Sequence, residues 1–478
     1  MASPLTILNR VPKFSCIVGL FYLATAICAS AQTFKTLVNF DATNGNLPFS
    51  VLVQGTDGNF YGTAAQGGAN GDGTVFKITP SGTLSTLYSF AGTDGSFPHA
   101  GLIQGTDGSF YGTTYYGGAN NDGTIFKITP GGALTQLYSF CSQPNCADGT
   151  NPYAPLIQAT DGDLYGTTVH GGVTVCQYGC GTVFKITTAG NLTTLHSFAS
   201  HDGLWPYGGV IQATNGNFYG TTFGGPGLEG DGTIFKMTPS GSLVTLHSFV
   251  AADGVEPFAS LLQASDGNFY GTTTALGANY DGTVFKITAD GTFTTLQSFD
   301  GNDGDYVFCA LVQAPDGNFY GTSYEGGDFT YYGTVFQITP AGVITPLWSF
   351  DIYNGSGPYT GLLQATNGIL YGTTALGGTD SDCDVNQGCG TIFSLSLGLA
   401  PFVKTNPTSG NVGTSVVILG NNLSSTSSVT FNGTPATFEL ISPSALSATV
   451  PTGATTGFVS VTRPSGMLKS NTKFRVTQ

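Results

Sequence analysis

Short apolar segments of three to seven residues recur along most of the chain, separated by turns rich in Gly, Asn, Asp and Pro. One unit of the pattern runs from Gly101 to Phe140 and holds four such segments, at residues 102–104, 110–114, 124–128 and 134–140. Segments this short and this rich in Phe, Tyr, Thr and Ile are typical of β-strands. The pattern therefore predicts an all-β protein with four strands in each unit.

The unit is repeated seven times, as a recurring Tyr-Gly step shows. The tyrosines of this step stand 50 to 54 residues apart, at Tyr61, Tyr111, Tyr165, Tyr219, Tyr270, Tyr320 and Tyr371. An Asp-Gly or Asn-Gly dipeptide separates the first and second strands and favours a two-residue hairpin. Between the third and fourth strands most units carry Thr-Pro-x-Gly, another turn sequence. Four antiparallel strands repeated seven times predict a seven-bladed β-propeller over residues 32–399.

The two ends of the repeat region indicate how the propeller closes. The last unit stops after its third strand, Thr391 to Leu395, whereas the segment from Thr33 to Phe40 has the pattern of a fourth strand without a blade of its own. We expect this N-terminal strand to complete the seventh blade, because closure removes two exposed sheet edges. An open solenoid would need polar caps at both ends.

The regions on either side of the propeller differ from it in composition. Residues 1–31 combine Arg10 and Lys13 with an apolar run and a small-residue cleavage site before Gln32, which predicts a signal peptide and an exported protein. No other stretch is long and apolar enough to predict a membrane span. Residues 400–478 alternate short strands with Gly, Pro and Asn, as expected of an immunoglobulin-like β-sandwich.

Charge narrows the range of partners. Residues 32–400 contain 27 Asp and Glu, six Lys and no Arg, a net charge of −21. Such a body repels phosphate backbones, so nucleic acid is excluded as a partner. Cations, glycans and other surface proteins remain compatible with the charge.

Two resemblances follow from these motifs. The blocks QAxDGNFYGTT and GTxFKITPxG, over residues 34–398, resemble the GloVer tandem repeats of exported bacterial proteins. The tail, with Pro407 to Gly410, Val417 to Gly420 and Val429 to Gly433, is similar to an IPT/TIG domain. The first resemblance implies an exported repeat protein without an agreed activity, and the second implies a spacer or interaction domain.

Seven cysteines follow residue 31, and six form close pairs in loops that are longer than their counterparts in other blades. Local disulfides are expected for Cys141 with Cys146, Cys176 with Cys180, and Cys383 with Cys389. Cross-pairing between the first two pairs, or a zinc site of four thiolates, is the alternative. Cys309 stands where other blades carry small residues and is predicted to be a buried free thiol.

One face of the propeller collects two rings of candidate ligand-binding residues. An aromatic residue or His begins every first strand, and the candidates for binding a ligand at the mouth are Trp205, Tyr207, Tyr153, Tyr359 and His99. The alternative reading of these aromatics is packing between adjacent blades. Carboxylates that could hold a metal ion, with calcium the favoured ion, recur before Gly at Asp94, Asp148, Asp202, Asp253 and Asp303. The alternative is that Asp-Gly forms turns only.

The sequence contains no nucleophile elbow, phosphate-binding loop or zinc-spaced histidine pair, and apart from calcium it suggests no cofactor. These observations favour an exported, non-catalytic binding or scaffold protein of the cell surface or extracellular space, with glycan binding at the propeller mouth. One alternative is an extracellular hydrolase or lyase acting on polysaccharide at the same face. The other is a purely structural surface protein.

Overall fold

The structure is a computed structural model that describes residues 32–172, 176, 178–225, 231–329, 331–380, 383 and 388–477. Within these residues, seven four-stranded antiparallel sheets form the seven blades of a β-propeller, as predicted. The predicted signal peptide, residues 1–31, lies outside the described residues. No helix in the described part of the chain is long and apolar enough to cross a membrane.

Each blade follows the same strand order, from the first strand at the axis to the fourth at the outside. The first strands are Val53–Gln54, Ile103–Gln104, Ile157–Gln158, Ile211–Gln212, Leu262–Gln263, Val312–Gln313 and Leu363–Gln364. The second strands are Phe60–Ala64, Phe110–Thr114, Leu164–Thr168, Phe218–Thr222, Phe269–Thr273, Phe319–Ser323 and Leu370–Thr374. The third strands are Thr74–Ile78, Thr124–Ile128, Thr182–Ile186, Thr233–Met237, Thr283–Ile287, Thr334–Ile338 and Thr391–Ser396. The fourth strands of blades 1 to 6 are Leu84–Ser89, Leu134–Ser139, Leu192–Ser197, Leu243–Ser248, Phe293–Ser298 and Ile344–Ser349.

The N-terminal strand, Thr33–Asn39, is the fourth strand of blade 7. It pairs antiparallel with the third strand of that blade, with Thr33 opposite Ser396 and Asn39 opposite Thr391. The predicted closure is therefore confirmed, and one blade is built from both ends of the repeat region.

Aromatic stacking between neighbouring blades explains why the Tyr-Gly step recurs. The Tyr61 ring of blade 1 stacks on Phe110 of blade 2 with centroids 4.0 Å apart, and Tyr371 of blade 7 packs on Phe60 of blade 1 at 4.3 Å. The glycine after the tyrosine leaves room for the strand-three phenylalanine, since a Cβ on Gly62 would lie 2.6 Å from Phe76 Cζ. The repeated residues thus build the core between blades.

A glutamine at the end of each first strand links neighbouring blades. Its side-chain oxygen accepts a backbone N–H from the preceding blade, and the donor stands two positions after the first strand of that blade. Gln104 of blade 2, for example, accepts from Thr56 of blade 1 at 3.0 Å. Six of the seven blade junctions have this bond, including Gln54 with Thr366 across the closure. The seventh lacks it because the donor position in blade 6 is Pro315, which has no N–H, and neither polar atom of the buried Gln364 side chain has a protein partner.

Hydrogen bonds and ion pairs to the aspartate side chain hold the Asp-Gly turns between the first and second strands. Asp57 accepts hydrogen bonds from the Tyr61 hydroxyl and from Lys77 Nζ, both at 2.8 Å. Burial alone would raise the pKa of Asp57, but bonds from Lys77, Asn59 and Tyr61 outweigh it and leave this pKa below its ordinary value. Many of the acidic residues of the chain therefore serve these turns, at the end of the propeller that we name the lower face.

The C-terminal residues form a separate β-sandwich. One sheet contains Lys404–Asn406, Ser415–Leu419, Ala445–Thr449 and Phe438–Ser442, and the other Ser409–Asn411, Gly466–Thr477, Gly457–Arg463, Ser428–Phe431 and Thr434–Ala436. Three short 3₁₀ turns complete the described elements, at Pro144–Cys146, Ala251–Asp253 and Leu423–Ser425. The sandwich has its own core, in which Val416, Ile418, Phe431 and Val461 are buried.

The sandwich sits on the lower face of the propeller. The hydroxyls of Ser442 and Ser444 donate to the Thr56 carbonyl of blade 1 at 2.9 and 3.0 Å, and Asn406 Nδ2 donates to Gln104 O of blade 2 at 2.8 Å. Phe402 N also bonds Thr366 O of blade 7. The opposite face, which we name the mouth face, is formed by the loops between second and third strands and by the connections from one blade to the next. These contacts between the sandwich and the propeller all lie on the lower face.

Candidate functional site

Seven rings, each four positions before a first strand, meet around the axis at the mouth face. We name them the aromatic floor: Phe49, His99, Tyr153, Tyr207, Phe258, Phe308 and Tyr359. Each neighbouring pair is in ring contact, with centroids between 4.7 and 5.3 Å apart. Contacts also cross the axis, since the Tyr153 hydroxyl donates to the Tyr359 hydroxyl at 3.2 Å. The floor thus packs between blades and also presents half-buried rings to the mouth.

His99 is the one floor residue with an ionisable imidazole. Its ring is stacked between Phe49 and Tyr153, and its Nδ1 is buried without a protein hydrogen-bond partner. Burial lowers the pKa of His99 to about 4, so the imidazole is neutral at neutral pH. The floor is therefore uncharged.

The residue two positions before each floor residue has a left-handed backbone, with φ between 50 and 61° in all seven blades. At Trp205 three backbone bonds fix this conformation, from its N–H to Cys180 O and to its carbonyl from Tyr207 and Phe223. Left-handed backbone costs a non-glycine residue about 1–2 kcal/mol. The side chain nevertheless differs in every blade: Leu47, Phe97, Asn151, Trp205, Glu256, Tyr306 and Gly357. The left-handed conformation therefore belongs to the repeat, while the residue type at this position varies from blade to blade.

Exposed aromatic side chains are concentrated on the same face. Among the described residues, the most exposed large aromatics all belong to mouth-face loops: Tyr116, Tyr178, Tyr280, Tyr306, Phe329, Tyr331 and Tyr353. Tyr178 and Tyr280 expose 76% and 74% of their surface. A concentration of exposed aromatic side chains on one face favours this face as a binding surface.

The three predicted local cysteine pairs are disulfides, Cys141–Cys146, Cys176–Cys180 and Cys383–Cys389, and all three staple mouth-face loops. Asp122 lies close to the first of these pairs, but disulfide sulfurs are not thiolates and do not make a zinc site with it. Cys309 is a free buried thiol, with its Sγ 3.2 Å from the backbone N–H of Thr322.

The five aspartates considered for calcium close the turns that follow the outermost strands. Asp148 accepts from the Tyr138 hydroxyl at 2.8 Å, and Asp202 pairs with His196 Nε2 at 2.8 Å. Tyr88 with Asp94 and His247 with Asp253 repeat the arrangement, and Asp303 accepts the backbone N–H of Asp300. These carboxylates are therefore engaged around the rim, away from the axis. Calcium binding at them stays a prediction.

The repeat has a recognised family model. The description of this model is the Gloeobacter/Verrucomicrobia repeat, and it matches residues 20–227, 103–262 and 225–433 in three overlapping segments. The chain belongs to this repeat family. An IPT/TIG domain model matches residues 402–476, which cover the nine strands of the sandwich except for the last residue of the final strand.

Other comparisons add little about activity. A search of curated proteins gave no match. Among solved structures, the repeat-family chain is similar to a putative 6-phosphogluconolactonase from Bacteroides uniformis, with 16% identity, 68% of this chain and 95% of the other covered, and a TM-score of 0.45. It is also similar to a puromycin hydrolase, with 11% identity, 90% and 60% coverage, and a TM-score of 0.43. At these scores the likeness carries no inference about what the repeat-family chain does.

Blades 5 and 6 form an acidic sector of the mouth that sequence reasoning did not single out. Burial raises the pKa of Glu256, whose carboxylate accepts from the Thr274 hydroxyl at 3.3 Å. Burial also raises the pKa of Asp305, and the nearby carboxylates of Asp281 and Glu325 raise it further. The signal that could have found Glu256 is its position before Pro, where every blade differs.

The five ligand-binding candidates divide into two groups in the structure. His99, Tyr153, Tyr207 and Tyr359 meet in the floor. Trp205 instead packs with the Cys176–Cys180 pair in a hydrophobic cluster, and its buried Nε1 has no protein partner. Sequence reasoning missed the exposed loop tyrosines, because their positions vary from blade to blade and no repeat marks them.

Proposed function

We propose that this protein is an exported, non-catalytic glycan-binding protein and that its ligand is a neutral polysaccharide bound at the mouth face. What supports the proposal most is the concentration of aromatic side chains there. The half-buried floor and the exposed tyrosines share one face, and the IPT/TIG sandwich occupies the other. Aromatic faces bury the apolar C–H surface of a sugar ring, while tyrosine hydroxyls can hydrogen bond to its edges.

The charge of the mouth face favours a neutral ligand over an anionic one. The loops that form this face contain no Lys or Arg in the sequence. The lysines of the third strands instead lie at the lower face, where Lys77, Lys127 and Lys185 pair with Asp-Gly turns. A polyanionic glycan would meet carboxylates at the mouth without any Lys or Arg to balance them, and their repulsion would oppose binding.

Export is the part of the proposal that explains the disulfides. Three disulfides in loops are expected to persist in an oxidising compartment and to be reduced in the cytosol. N-terminal sequencing of the protein recovered from outside its native cells should begin near Gln32. Recovery only from the cytosol, with Met1 retained, would contradict export.

Binding is tested by screening the purified protein against cello-, xylo-, manno- and chitohexaose and an acidic control, polygalacturonate, with calcium and with a chelator. We expect a neutral hexasaccharide to bind and polygalacturonate not to bind. Loss of binding in chelator would add a calcium requirement. If none of the neutral glycans binds under either condition, the proposal is wrong and the purely structural role is favoured.

A polysaccharide-acting enzyme is the second candidate, and the acidic sector is the observation that favours it. Carboxyls with a raised pKa, such as Glu256 and Asp305, are suited to general acid catalysis. Incubating each hexasaccharide with the protein and analysing the products by mass spectrometry separates the two functions. Intact sugar after long incubation supports binding alone, whereas cleavage that Glu256→Gln abolishes supports the enzyme.

A further inference from the structure

A groove opens on the mouth face between blades 2 and 3. It has a volume of about 650 Å³, within the range of roughly 300–1,000 Å³ typical of small-molecule sites. The side chains that matter for recognition are those of Tyr115, Tyr116, Asn151, His170 and Tyr178. They come from three loops and are separated by up to 63 positions in the sequence.

The groove is continuous with the aromatic floor through Tyr115. The Tyr115 ring stands edge-on to His99 and to Tyr153 of the floor, with centroids 5.7 and 5.9 Å apart. On its other side it contacts Tyr116 at 4.6 Å. A ligand lying in the groove would therefore run from the outer loops toward the floor at the axis.

Two tyrosines give the groove exposed aromatic faces. Tyr116 comes from the loop of blade 2 and is 41% exposed, and Tyr178 comes from the loop of blade 3 and is 76% exposed. Tyr178 has a left-handed backbone, with φ at 67°, and its carbonyl accepts the N–H of Gly171 at 2.8 Å. An exposed aromatic ring on a backbone fixed in this way is placed to stack on a ligand in the groove.

Polar side chains that line the groove can form hydrogen bonds with the hydroxyls of a ligand. Asn151 Nδ2 donates to the Tyr115 carbonyl at 3.0 Å, and His170 Nδ1 lies 3.3 Å from Asn151 Oδ1. If Nδ1 carries the proton of this contact, His170 Nε2 is a hydrogen-bond acceptor. Burial lowers the pKa of His170, which keeps its ring neutral, and no lining residue is cationic. A neutral, hydroxyl-bearing ring matches this lining better than a phosphate or a carboxylate does.

Disulfides hold both walls of the groove. Cys141–Cys146 closes a turn in the blade 2 to blade 3 connection, and Cys176–Cys180 joins two cysteines on either side of Tyr178. The walls are joined to each other, because Gly172 N donates to Cys146 O at 2.9 Å. Preorganisation of this kind lowers the entropy cost of binding.

We propose that the groove between blades 2 and 3 is the main saccharide subsite, in which Tyr116 and Tyr178 stack on a pyranose ring and Asn151 and His170 bond its hydroxyls. This inference rests on the proposed function and locates it on the mouth face. The glycan then extends over Tyr115 toward the floor.

The test compares two tyrosines of similar exposure and backbone conformation from different blades. Tyr178→Ala removes a groove residue, and Tyr280→Ala removes an equally exposed tyrosine with a similar left-handed backbone, φ 75°, from blade 5. Affinity for the best-binding neutral hexasaccharide is measured by isothermal titration calorimetry, with thermal unfolding of each variant as the check on folding. We expect Tyr178→Ala to raise Kd by about tenfold or more, and Tyr280→Ala to change Kd by less than about twofold.

The outcomes separate this inference from the proposed function. If the unmodified protein binds and Tyr178→Ala binds equally well, the groove is not the subsite although the function stands. Equal losses in the two variants would also overturn the inference, since they would place the ligand across the whole face. If Tyr178→Ala unfolds at a lower temperature, His170→Ala, which changes another lining residue of the groove, is compared with Tyr280→Ala instead. Absence of binding by the unmodified protein would instead defeat the proposed function itself.

Discussion

The glutamine bonds between blades give a prediction in which a proline determines whether the same substitution stabilises or destabilises the protein. Gln263 accepts the backbone N–H of Thr214 at 2.8 Å, whereas Gln364 faces Pro315 and has no protein partner for either polar atom. Replacing Gln263 with Leu removes this bond, whose donor lies in an exposed residue, and should destabilise the protein by about 0.5–1.5 kcal/mol. Replacing the 4% exposed Gln364 with Leu removes two unpaired polar atoms from an apolar junction and should be neutral or stabilising by up to about 1–2 kcal/mol.

The complementary change restores the missing donor. Pro315→Thr introduces the residue found at this position in most other blades, and the new N–H can bond Gln364. A formed bond stabilises by about 0.5–1.5 kcal/mol, and pairing a buried acceptor adds to this. Losing the proline costs about 0.4–1 kcal/mol through the unfolded chain. The net expectation is a gain of about 1 kcal/mol that disappears in the double variant Pro315→Thr with Gln364→Leu.

Urea unfolding followed by tryptophan fluorescence measures these differences, provided that the slope of each transition is unchanged. Gln263→Leu is the matched control for Gln364→Leu, because both substitutions remove the same atoms from equivalent strands. Equal destabilisation by the two would refute the reasoning, since it would mean that Gln364 makes a bond worth as much as the other six.

Three further predictions concern the mouth face. Below about pH 6.5 the unfolded chain binds a proton at His99 that the folded protein, in which the pKa of this imidazole is about 4, does not bind, so the folded state loses stability. His99→Phe should remove this loss, so that the stability of the variant relative to the parent is about 2 kcal/mol higher at about pH 5 than at about pH 8. Identical pH profiles of stability would contradict this. Asp202→Asn should destabilise the protein by about 1–2 kcal/mol, because it weakens the bond between this side chain and His196. Asn354→Asp should also destabilise it, because the new carboxylate would lie beside that of Asp351, with which Asn354 forms hydrogen bonds. Urea unfolding checks both. Reducing Cys176–Cys180 with dithiothreitol should weaken hexasaccharide binding while the far-ultraviolet circular dichroism is kept, and unchanged affinity would count against a preorganised groove.

The repeat made most of the fold predictable. Tyr-Gly steps and Asp-Gly turns occur at a fixed spacing, so one unit defined the strands of all seven, and the unpaired segment from Thr33 to Phe40 indicated its own partner. The same comparison within the chain could have shown that Asp202 pairs with His196. Blades with Tyr or His near the end of the fourth strand carry Asp in the following turn, whereas Val38 and Trp348 are followed by Asn44 and Asn354.

The candidate site was less predictable because it depends on the departures from the repeat. Trp205 departs from the repeat and was therefore predicted to bind a ligand. In the structure its backbone is left-handed and its side chain packs in a hydrophobic cluster with the Cys176–Cys180 pair. Tyr115 and Tyr178 are far apart in sequence and line the same groove only because the loops that carry them lie side by side on adjacent blades. Their proximity depends on loop geometry, which periodicity does not encode.

Hydrogen–deuterium exchange tests most directly the claim that the mouth face binds a neutral glycan. The protein is compared with and without saturating amounts of its best-binding hexasaccharide, and exchange is followed by peptide. The account predicts slower exchange in residues 96–99, 115–122 and 150–153, with no change in residues 402–477. Protection confined to residues 402–477, or to the turns of the lower face, would contradict it and assign recognition to the IPT/TIG sandwich or to its junction with the propeller.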